Sequence, residues 1–597
     1  MENLQTEAPL GVALSESIQY KTLDSIEAGL LRSPLSEWEA LARQDPTATL
    51  FQTPMWTLPW YRAYAATFEP LVLAVVHDGR LVGVVPLTIE RETGRIAFAG
   101  NQMADYRDVI ALPEFRKQVI EEFLNLFRAG AFPNMLWFGP TLPESETVGI
   151  IMESAGLLQI PAVRRTHLGW RWWFAERDQV EDPLKKKAVR YALNFFRRQG
   201  PVEVRIIDNV REWDVFKEDF YKQHSLRQLF GGRQTSFDSP QKRAFFDEIF
   251  RAHCGHVTAL YVNDRMVASH VGTVYRDVLL WGAPSFDIRE NAYSPGLLLM
   301  VLTMQELDKW GLKGVDLTIG EGDLKERFST SRVELPSVDL FPNGQKYLIN
   351  KARVAVTMYC REKVGEETWT KKWKPVFKKA VEKLERVWEL GVGGAIASIG
   401  NKAVSKLGEG ATGLVLIATP ESRRPVAPTL QAGETCSFHQ NDIYDLLKWT
   451  GPKGEISRGI SEKARQLAAL LKSGRTLHTV LVNDRLAGWG LSYWPNEPAV
   501  LSETGGMKLE FKPNSVSLYD FFVLPEYRGR KLYQALLSHI LDLRFQEGAE
   551  RAYIGVLKSN VSSLRGIERV GFRSAMENRY LRILRWKRAK SRILLED

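Results

Sequence analysis

Cysteine is scarce: three in 597 residues, Cys254, Cys360 and Cys436. Spaced so widely, they supply neither a disulfide framework nor the paired thiolates of a zinc site, and they fit a reducing compartment. Histidine adds no metal centre. Nine are present, and His253 and His256, beside Cys254, have no second cluster to complete a tetrahedral set, so they read as surface or packing residues and no metal is expected. No apolar run approaches the roughly 20 residues that cross a bilayer, and the first thirty residues lack a charged start followed by an apolar core. A cytoplasmic protein is the expectation. Charge of one sign is not concentrated either: the net +9 is spread along the chain, which suits an acidic cofactor as well as a nucleic acid. No interleaved aromatic and basic array of the kind that reads RNA is present, so no nucleic-acid partner is expected.

What the chain does have is length, an ordinary globular composition and an internal repeat. With 44% hydrophobic and 25% charged residues over 597 positions, it must fold as several domain-sized units. Val72–Pro86, Thr258–Thr273 and Thr479–Ser492 each read as apolar strand, tight polar turn, apolar strand. His77-Asp78-Gly79-Arg80-Leu81-Val82 aligns with Val262-Asn263-Asp264-Arg265-Met266-Val267 and with Val482-Asn483-Asp484-Arg485-Leu486-Ala487, followed by a small residue, Gly83, Ala268 or Gly488. Asp, Asn and Gly suit a turn that needs positive φ. The wide spacing predicts three domains rather than a solenoid.

Around the hairpins the chain divides into a weakly structured tail (1–33), a first lobe (34–161), a second lobe (162–350), a basic helical and Gly-rich linker (351–412) and a C-terminal unit (413–597). Helices are predicted near Ser36–Gln44 and Pro113–Ala129, and a basic one over Pro183–Arg198 with Val189, Ala192, Leu193 and Phe196 as its apolar stripe. In the linker, Trp369–Leu390 reads either as a solvated helix packed on a neighbour or as a peripheral contact with an anionic membrane through its lysines, Trp373, Val376 and Phe377.

The densest signal lies at 514–546. Asn514–Pro525 is a strand of β-branched and aromatic residues stopped by a proline. The turn Glu526-Tyr527-Arg528-Gly529-Arg530-Lys531 follows, then a helix with Leu532, Leu536, Leu537, Ile540 and Leu541 on one face. A strand entering a helix through a short basic turn aims backbone N–H groups and the positive helix end at one point, which binds anions.

The run Val523-Leu524-Pro525-Glu526-Tyr527-Arg528-Gly529-Arg530-Lys531-Leu532 resembles the acetyl-CoA pyrophosphate segment of GNAT acyltransferases, V-x-P-x-x-R-G-x-G-x-G. Arg528 takes the family's Arg position, while Lys531 and Tyr533 stand where two glycines are usual. The resemblance implies coenzyme contacts at Phe522, Val523, Arg528, Gly529, Arg530, Lys531, Leu532 and Tyr533. After the strand Arg551–Leu557, Asn560 and Ser563 match the pantetheine-contacting segment, and Gly571-Phe572 the family's helix stop. The usual tyrosine acid is replaced by Ile567. Direct transfer to an amine needs a base near the end of the coenzyme-flanking strand; Asp520 and Tyr519 are candidates, Glu503 an alternative, and a structural role for Asp520 stays open.

Residues 34–350 are similar to the acetyltransferase family of cellulose and exopolysaccharide biosynthesis, whose paired lobes resemble the Fem peptidyltransferases. Leu50–Trp56, the basic helix with Lys187, Arg190, Arg197 and Arg198, Tyr293–Leu299 and Val315–Lys325 carry the similarity. Ser294-Pro295-Gly296 reads as a helix start with Ser294 as cap, which makes Ser294 and Gly296 the second lobe's counterpart of the Arg528 turn. Asp316, Glu321 and Lys325 are candidate substrate-binding residues there, unless that stretch is simply a charged loop. The first lobe shows no phosphate turn and reads as structural.

The expectation is therefore an α/β (α+β) chain of repeated GNAT-like units, each a mixed central sheet flanked by helices. Its expected activity is acyl-CoA-dependent transfer, from acetyl-CoA or another acyl-CoA, to an amine or hydroxyl of a small molecule or glycan precursor. Two other classes remain: an acyl-CoA-binding scaffold without turnover, and a Fem-like transferase of aminoacyl groups from tRNA.

Overall fold

The computed structural model describes residues 18–21, 37–233, 235–320, 323–348, 350–351, 409–449, 455–495, 499–501, 507–583 and 586–594. Most of the N-terminal tail, nearly all of the linker including Trp369–Leu390, and the candidates Glu321 and Glu503 lie outside them. Among the described residues no helix is long and apolar enough to cross a membrane. The chain forms two units. One holds Met1–Lys217, Phe237–Pro284 and Gly296–Ile399; the other holds Glu218–Ser236, Ser285–Pro295 and Gly400–Asp597.

The first unit begins with β1 (Ile18–Lys21), α1 (Glu37–Gln44), α2 (Pro54–Tyr64), β2 (Phe68–His77), β3 (Arg80–Glu90), β4 (Ile96–Phe98) and β5 (Ile110–Ala111). Strand β1 lies in the expected tail and pairs antiparallel with β2, Ile18 opposite Val75, so part of that tail extends the first sheet. Then come α3 (Arg116–Arg128), β6 (Leu136–Phe138), α4 (Thr147–Leu157), β7 (Ala162–Trp173), α5 (Lys187–Arg197), β8 (Val202–Ile207), α6 (Val210–Phe230) and α7 (Pro240–Arg251). The run closes with β9 (Gly255–Val262), β10 (Arg265–Tyr275), β11 (Val278–Phe286), α8 (Pro295–Glu306), β12 (Gly314–Ile319), α9 (Asp323–Phe328) and β13 (Ser331–Leu340). One aromatic-rich core spans both lobes, from Trp60, Tyr61 and Phe123 to Phe245, Leu335 and Val338.

The second unit runs β14 (Glu409–Ala418), β15 (Cys436–Gln440), α10 (Glu455–Leu470), β16 (Thr476–Val482), β17 (Arg485–Tyr493), β18 (Ala499–Leu501), β19 (Met507–Leu509) and β20 (Ser515–Val523). It ends with α11 (Leu532–Gln546), β21 (Arg551–Leu557), α12 (Val561–Arg569), β22 (Arg573–Ile583) and β23 (Trp586–Ile593). One of its cores, with Ile460, Leu467 and Trp489, includes Leu226 and Ile288 from the two earlier segments. Ser461 Oγ and Arg465 Nε donate to the carbonyls of Leu229 and Phe230 at 2.7 Å each, satisfying the open C-terminus of α6.

The two large sheets have one topology. In the first unit the order is β6-β13-β7-β12-β11-β10-β9-β8, in the second β23-β22-β14-β21-β20-β17-β16-β15. Among the described strand pairings each has a single parallel contact, β11 with β12 and β20 with β21. In each, the strand that opens the copy, β7 or β14, is inserted antiparallel between the parallel pair and the strand that follows them in sequence, β13 or β22. The outermost strands differ in origin: β6 precedes its copy, whereas β23 follows its own.

The three repeated hairpins share backbone geometry as well as sequence. Both central turn residues are left-handed in each, Asp78 and Gly79 (φ 48° and 74°), Asn263 and Asp264 (48° and 57°), Asn483 and Asp484 (49° and 58°), the geometry that matches strand twist. Three residues past the turn each ladder skips: Val82, Val267 and Ala487 are bulged at the same offset. The small residue after the bulge has a packing reason. A Cβ on Gly83 would meet Val119 Cγ2 at 2.2 Å, and one on Gly488 would meet the Phe522 carbonyl oxygen at 2.6 Å.

Candidate active site

In the second unit, β20 and β21 pair in parallel from Ser515↔Arg551 to Leu518↔Ile554 and no further, so their carboxyl-terminal halves part. Strand β20 is still held by β17, but the register jumps from Leu491↔Tyr519 to Trp489↔Phe522, which sets Asp520 and Phe521 against Gly490 alone. Asp520 takes φ 58°. The bulge sends neighbouring side chains in different directions. Asp520 accepts from Lys463 of α10, whose ammonium also donates to Gln466 Oε1 at 3.0 Å. Phe521 covers Gly490, where a Cβ would meet its ring at 2.2 Å, and packs edge-on against Tyr533 of α11, centroids 5.5 Å apart.

Strand β20 then enters α11 through a turn with Gly529 at φ 80° and Lys531 at φ 55°, and no side chain caps the helix. Open amides at the start of a long helix form an anion site. Arg528 is exposed at that mouth, its Nε donating to the Val523 carbonyl at 3.2 Å and its guanidinium 5.8 Å from the Phe522 ring. Arg530 is committed elsewhere, to both oxygens of Glu434 at 2.9 and 3.0 Å. Lys531 is exposed, and Leu532 is buried in the core beneath. Val523 is half-buried at the end of β20.

Asn560 caps α12, accepting from Ser563 N at 3.3 Å. Ser563 Oγ in turn donates to the Tyr533 hydroxyl at 3.1 Å, joining α11 to α12, and burial pushes the Tyr533 phenol up to about 12. Tyr519 lies edge-on to Tyr493 at 5.5 Å, its phenol raised by burial. Ile567 is buried core. Gly571 is required: at φ 107°, its Cβ would fall 1.9 Å from the Ser422 carbonyl oxygen.

The first unit repeats the layout with different detail. The β11–β12 pairing stops at Leu280↔Asp316. Here the bulge is on β12, where Asp316↔Arg171 is followed by Ile319↔Gly169 and Thr318 takes φ 59°. Asp316 is buried and saturated: the Tyr106 hydroxyl donates to its two oxygens at 3.1 and 2.9 Å, Thr318 N donates at 2.8 Å, and Arg171 Nε lies 3.4 Å away. Lys325 Nζ donates to the Ile319 carbonyl at 2.8 Å, and burial lowers its pKa. Gly296 is in the first turn of α8. Ser294 immediately precedes that helix, but at φ 49° rather than in the extended conformation of an ordinary N-cap. It is the positional counterpart of Lys531, and both copies enter the helix through a left-handed residue.

One group of potential metal ligands occurs among the described residues, His439, Asp442 and Asp445. Its donors are spent: Asp445 meets Lys448 at 3.0 Å and His439 at 2.9 Å, and Asp442 caps Tyr444 N at 3.0 Å.

Residues 185–326 match the family model described as an acetyltransferase (GNAT) domain, and 441–572 match that of the acetyltransferase (GNAT) family. The chain carries two GNAT domains. They are the two eight-stranded copies, so the duplicated splay and helix-entry turn belong to GNAT folds. No curated protein sequence matches the chain. Among solved structures, FemX aligns over 52% of this chain and 97% of its own at 11% identity and TM-score 0.40. A tandem GNAT protein from the clavulanic acid biosynthesis pathway aligns over 63% and 95% at 12% identity and TM-score 0.21. A ribosomal-protein-alanine N-acetyltransferase from Brucella melitensis aligns over 23% and 91% at 12% identity and TM-score 0.17.

The residues that sequence reading missed are the partners. Tyr106, Arg171 and Lys463 come from segments far from the strands they serve, and nothing in their local pattern marks them.

Proposed function

We propose that this protein is an acyl-CoA-dependent N-acyltransferase, moving an acetyl or other acyl group from the thioester to an amine or hydroxyl of a small molecule or glycan precursor. The observation that carries the reading is the parting of β20 from β21 beside an uncapped helix entered through Gly529 and Lys531. That arrangement offers an extended slot for a pantetheine arm and backbone amides for a diphosphate, with Arg528 adding charge at the mouth. The acceptor's lone pair attacks the thioester carbon, the C–S bond breaks, and the acceptor's proton leaves to a base while the thiolate is released. Catalysis then rests on orientation and on donors to the carbonyl oxygen. In the second unit Asp520 is the candidate group for placing an acceptor's ammonium, and its ion pair with Lys463 competes with that ligand for the carboxylate. A cytoplasmic setting fits this chemistry, because acyl-CoA is made and used there.

A second reading is a GNAT unit that binds acyl-CoA without turnover. It is favoured by the Tyr533–Ser563 hydrogen bond, which joins the helices flanking the slot, and by the commitment of Arg530 to Glu434. Calorimetry with acetyl-CoA followed by thiol release over an amine panel separates them. Turnover supports the enzyme, binding without turnover supports the scaffold, and no binding removes both.

A further inference from the structure

The first lobe, which its sequence marks as structural, reaches the splayed strands of the second. Its loop 104–109 carries four consecutive titratable residues, Asp105, Tyr106, Arg107 and Asp108, of which the first two bear on those strands. Tyr106 anchors the loop through both oxygens of Asp316. Arg107 is pinned back on its own lobe, donating to the carbonyls of Asn101 and of Gly139 (3.3 Å) with its guanidinium 4.3 Å from the Trp137 ring. Asp105, half-buried beside that anchor, lies close to Thr318, the left-handed residue two positions beyond the last β11–β12 pair.

The two carboxylates of this cluster have different standing. Asp316 is enclosed, and its oxygens are filled by Tyr106, Thr318 and Arg171. Asp105 is only half-buried and, among the described residues, has no ion-pair partner at contact distance. The charges that face it are Asp316 on β12, Lys325 on α9 and Arg107 on its own loop. Burial first, and the Asp316 charge second, push its carboxyl up to about 6, against the opposing pull of Lys325 and Arg107. A carboxylate with that value is ionised at neutral pH yet basic enough to accept a proton.

We propose that Asp105 is the general base of an acyl-transfer site in the first unit, built jointly by the first lobe's 104–109 loop and the parted ends of β11 and β12. The proposal rests on the acyltransferase reading above. Its carboxylate takes the proton from the acceptor amine as nitrogen bonds to the thioester carbon. The C–S bond breaks, the thiolate leaves with the coenzyme and is protonated by solvent, and Asp105 returns its proton to water. Tyr106 is a positioning residue, because it acts through Asp316 and the loop. The ligand class is a neutral or singly charged amine, whose ammonium form the two carboxylates attract and whose proton Asp105 removes.

The test is run in a full-length Arg528→Glu background, which disables the second unit's coenzyme turn. It compares that parent with Asp105→Asn and Asp105→Glu made in it, the unmutated chain being assayed alongside, in three readouts: acetyl-CoA affinity by calorimetry, thiol release with amines from pH 5 to 9, and carboxyl titration by carbon-13 NMR. Asp105→Asn is expected to keep the coenzyme affinity within twofold and to lose turnover by about 10²–10⁴-fold. The rise in kcat/KM centred near pH 6, where Asp105 deprotonates, is expected to disappear with it. Asp105→Glu should regain part of the rate and retain a limb. A carboxyl resonance titrating near pH 6 in the parent and missing from Asp105→Asn supports the assignment even if that variant is poorly active for other reasons. Parent-like turnover with an unchanged limb in Asp105→Asn overturns this proposal alone. An unmutated chain that binds acetyl-CoA but consumes none over the panel overturns the acyltransferase reading, and this proposal with it.

Discussion

Ser563 donates a hydrogen bond to the Tyr533 hydroxyl at 3.1 Å, tying the first turn of α12 to the first turn of α11 beside the parted ends of β20 and β21. The Tyr533 ring also leans on Gly566, where a Cβ would sit 3.0 Å from it, and on Phe521. A tyrosine where the resemblance expects glycine thus fills space between the two helix starts while joining the helix pair. Tyr533→Ala is expected to tighten acetyl-CoA binding by tenfold or more and to destabilise the protein by roughly 1–3 kcal/mol, less than the cost of deleting a fully buried aromatic ring because Tyr533 is half-buried. Calorimetry and denaturant unfolding read the two effects separately. Weaker binding would show that the ring serves the ligand rather than obstructing it.

The Lys463–Asp520 pair joins α10 to the bulge of β20, with the lysine side chain 10% and the aspartate 33% exposed. Because the aspartate is partly solvated, removing its partner should cost less than for a sealed pair. Lys463→Met is expected to lower stability by roughly 1–3 kcal/mol. If Asp520 places an acceptor ammonium, the same variant lowers KM for cationic amines while leaving neutral acceptors unchanged. Equal effects on both acceptor types would contradict that role.

Stability should also report the Asp105 charge. Its folded carboxyl is raised to about 6 from a reference of 3.8, so the folded state holds the proton more tightly than the unfolded chain. The sign follows: this group favours folding below the unfolded value, and that contribution fades as pH rises from about 4 to about 6. Asp105→Asn removes the penalty of the desolvated charge and is expected to be more stable than the parent at pH 7–8 by up to about 1–2 kcal/mol, allowing for solvent at a half-buried group. Denaturation at pH 4.5 and 7.5 checks it. A variant less stable at pH 7.5 contradicts the expectation.

At Gly571, left-handed backbone and a 1.9 Å approach to the Ser422 carbonyl coincide. Gly571→Ala should cost more than about 2 kcal/mol, since neither the turn nor a backbone oxygen can give way cheaply. An unchanged denaturation midpoint would contradict the packing described for α12 and the 419–424 turn.

What could be read from the sequence was local. The Asn-Asp and Asp-Gly turns carry their own dihedral preference, so three hairpins at 72–86, 258–273 and 479–492 were legible, and so was the strand, turn and helix at 515–546. Long-range pairing was not. Strands β7 and β14 both enter their sheets beside partners more than about 130 residues away, and a strand's own alternation says nothing about which edge it joins. Leu226, Phe230 and Ile288 fall in the stretch assigned to the second lobe, yet they pack with Ile460, Leu467 and Trp489, because an apolar residue does not name its neighbour. Tyr533 was visible as a departure from a glycine pattern, but its partner Ser563 was not. Asp105 was the hardest to find: it stands in an aperiodic loop, and only burial beside Asp316 distinguishes it.

The most direct measurement is calorimetric titration of acetyl-CoA into the full-length chain and into Arg528→Glu. With the diphosphate held at the Arg528–Lys531 turn, the parent should bind saturably, and charge reversal should weaken that site at least tenfold while the denaturation midpoint stays unchanged, because Arg528 is exposed. No binding by the parent at millimolar coenzyme, or an affinity indifferent to Arg528→Glu, would contradict it.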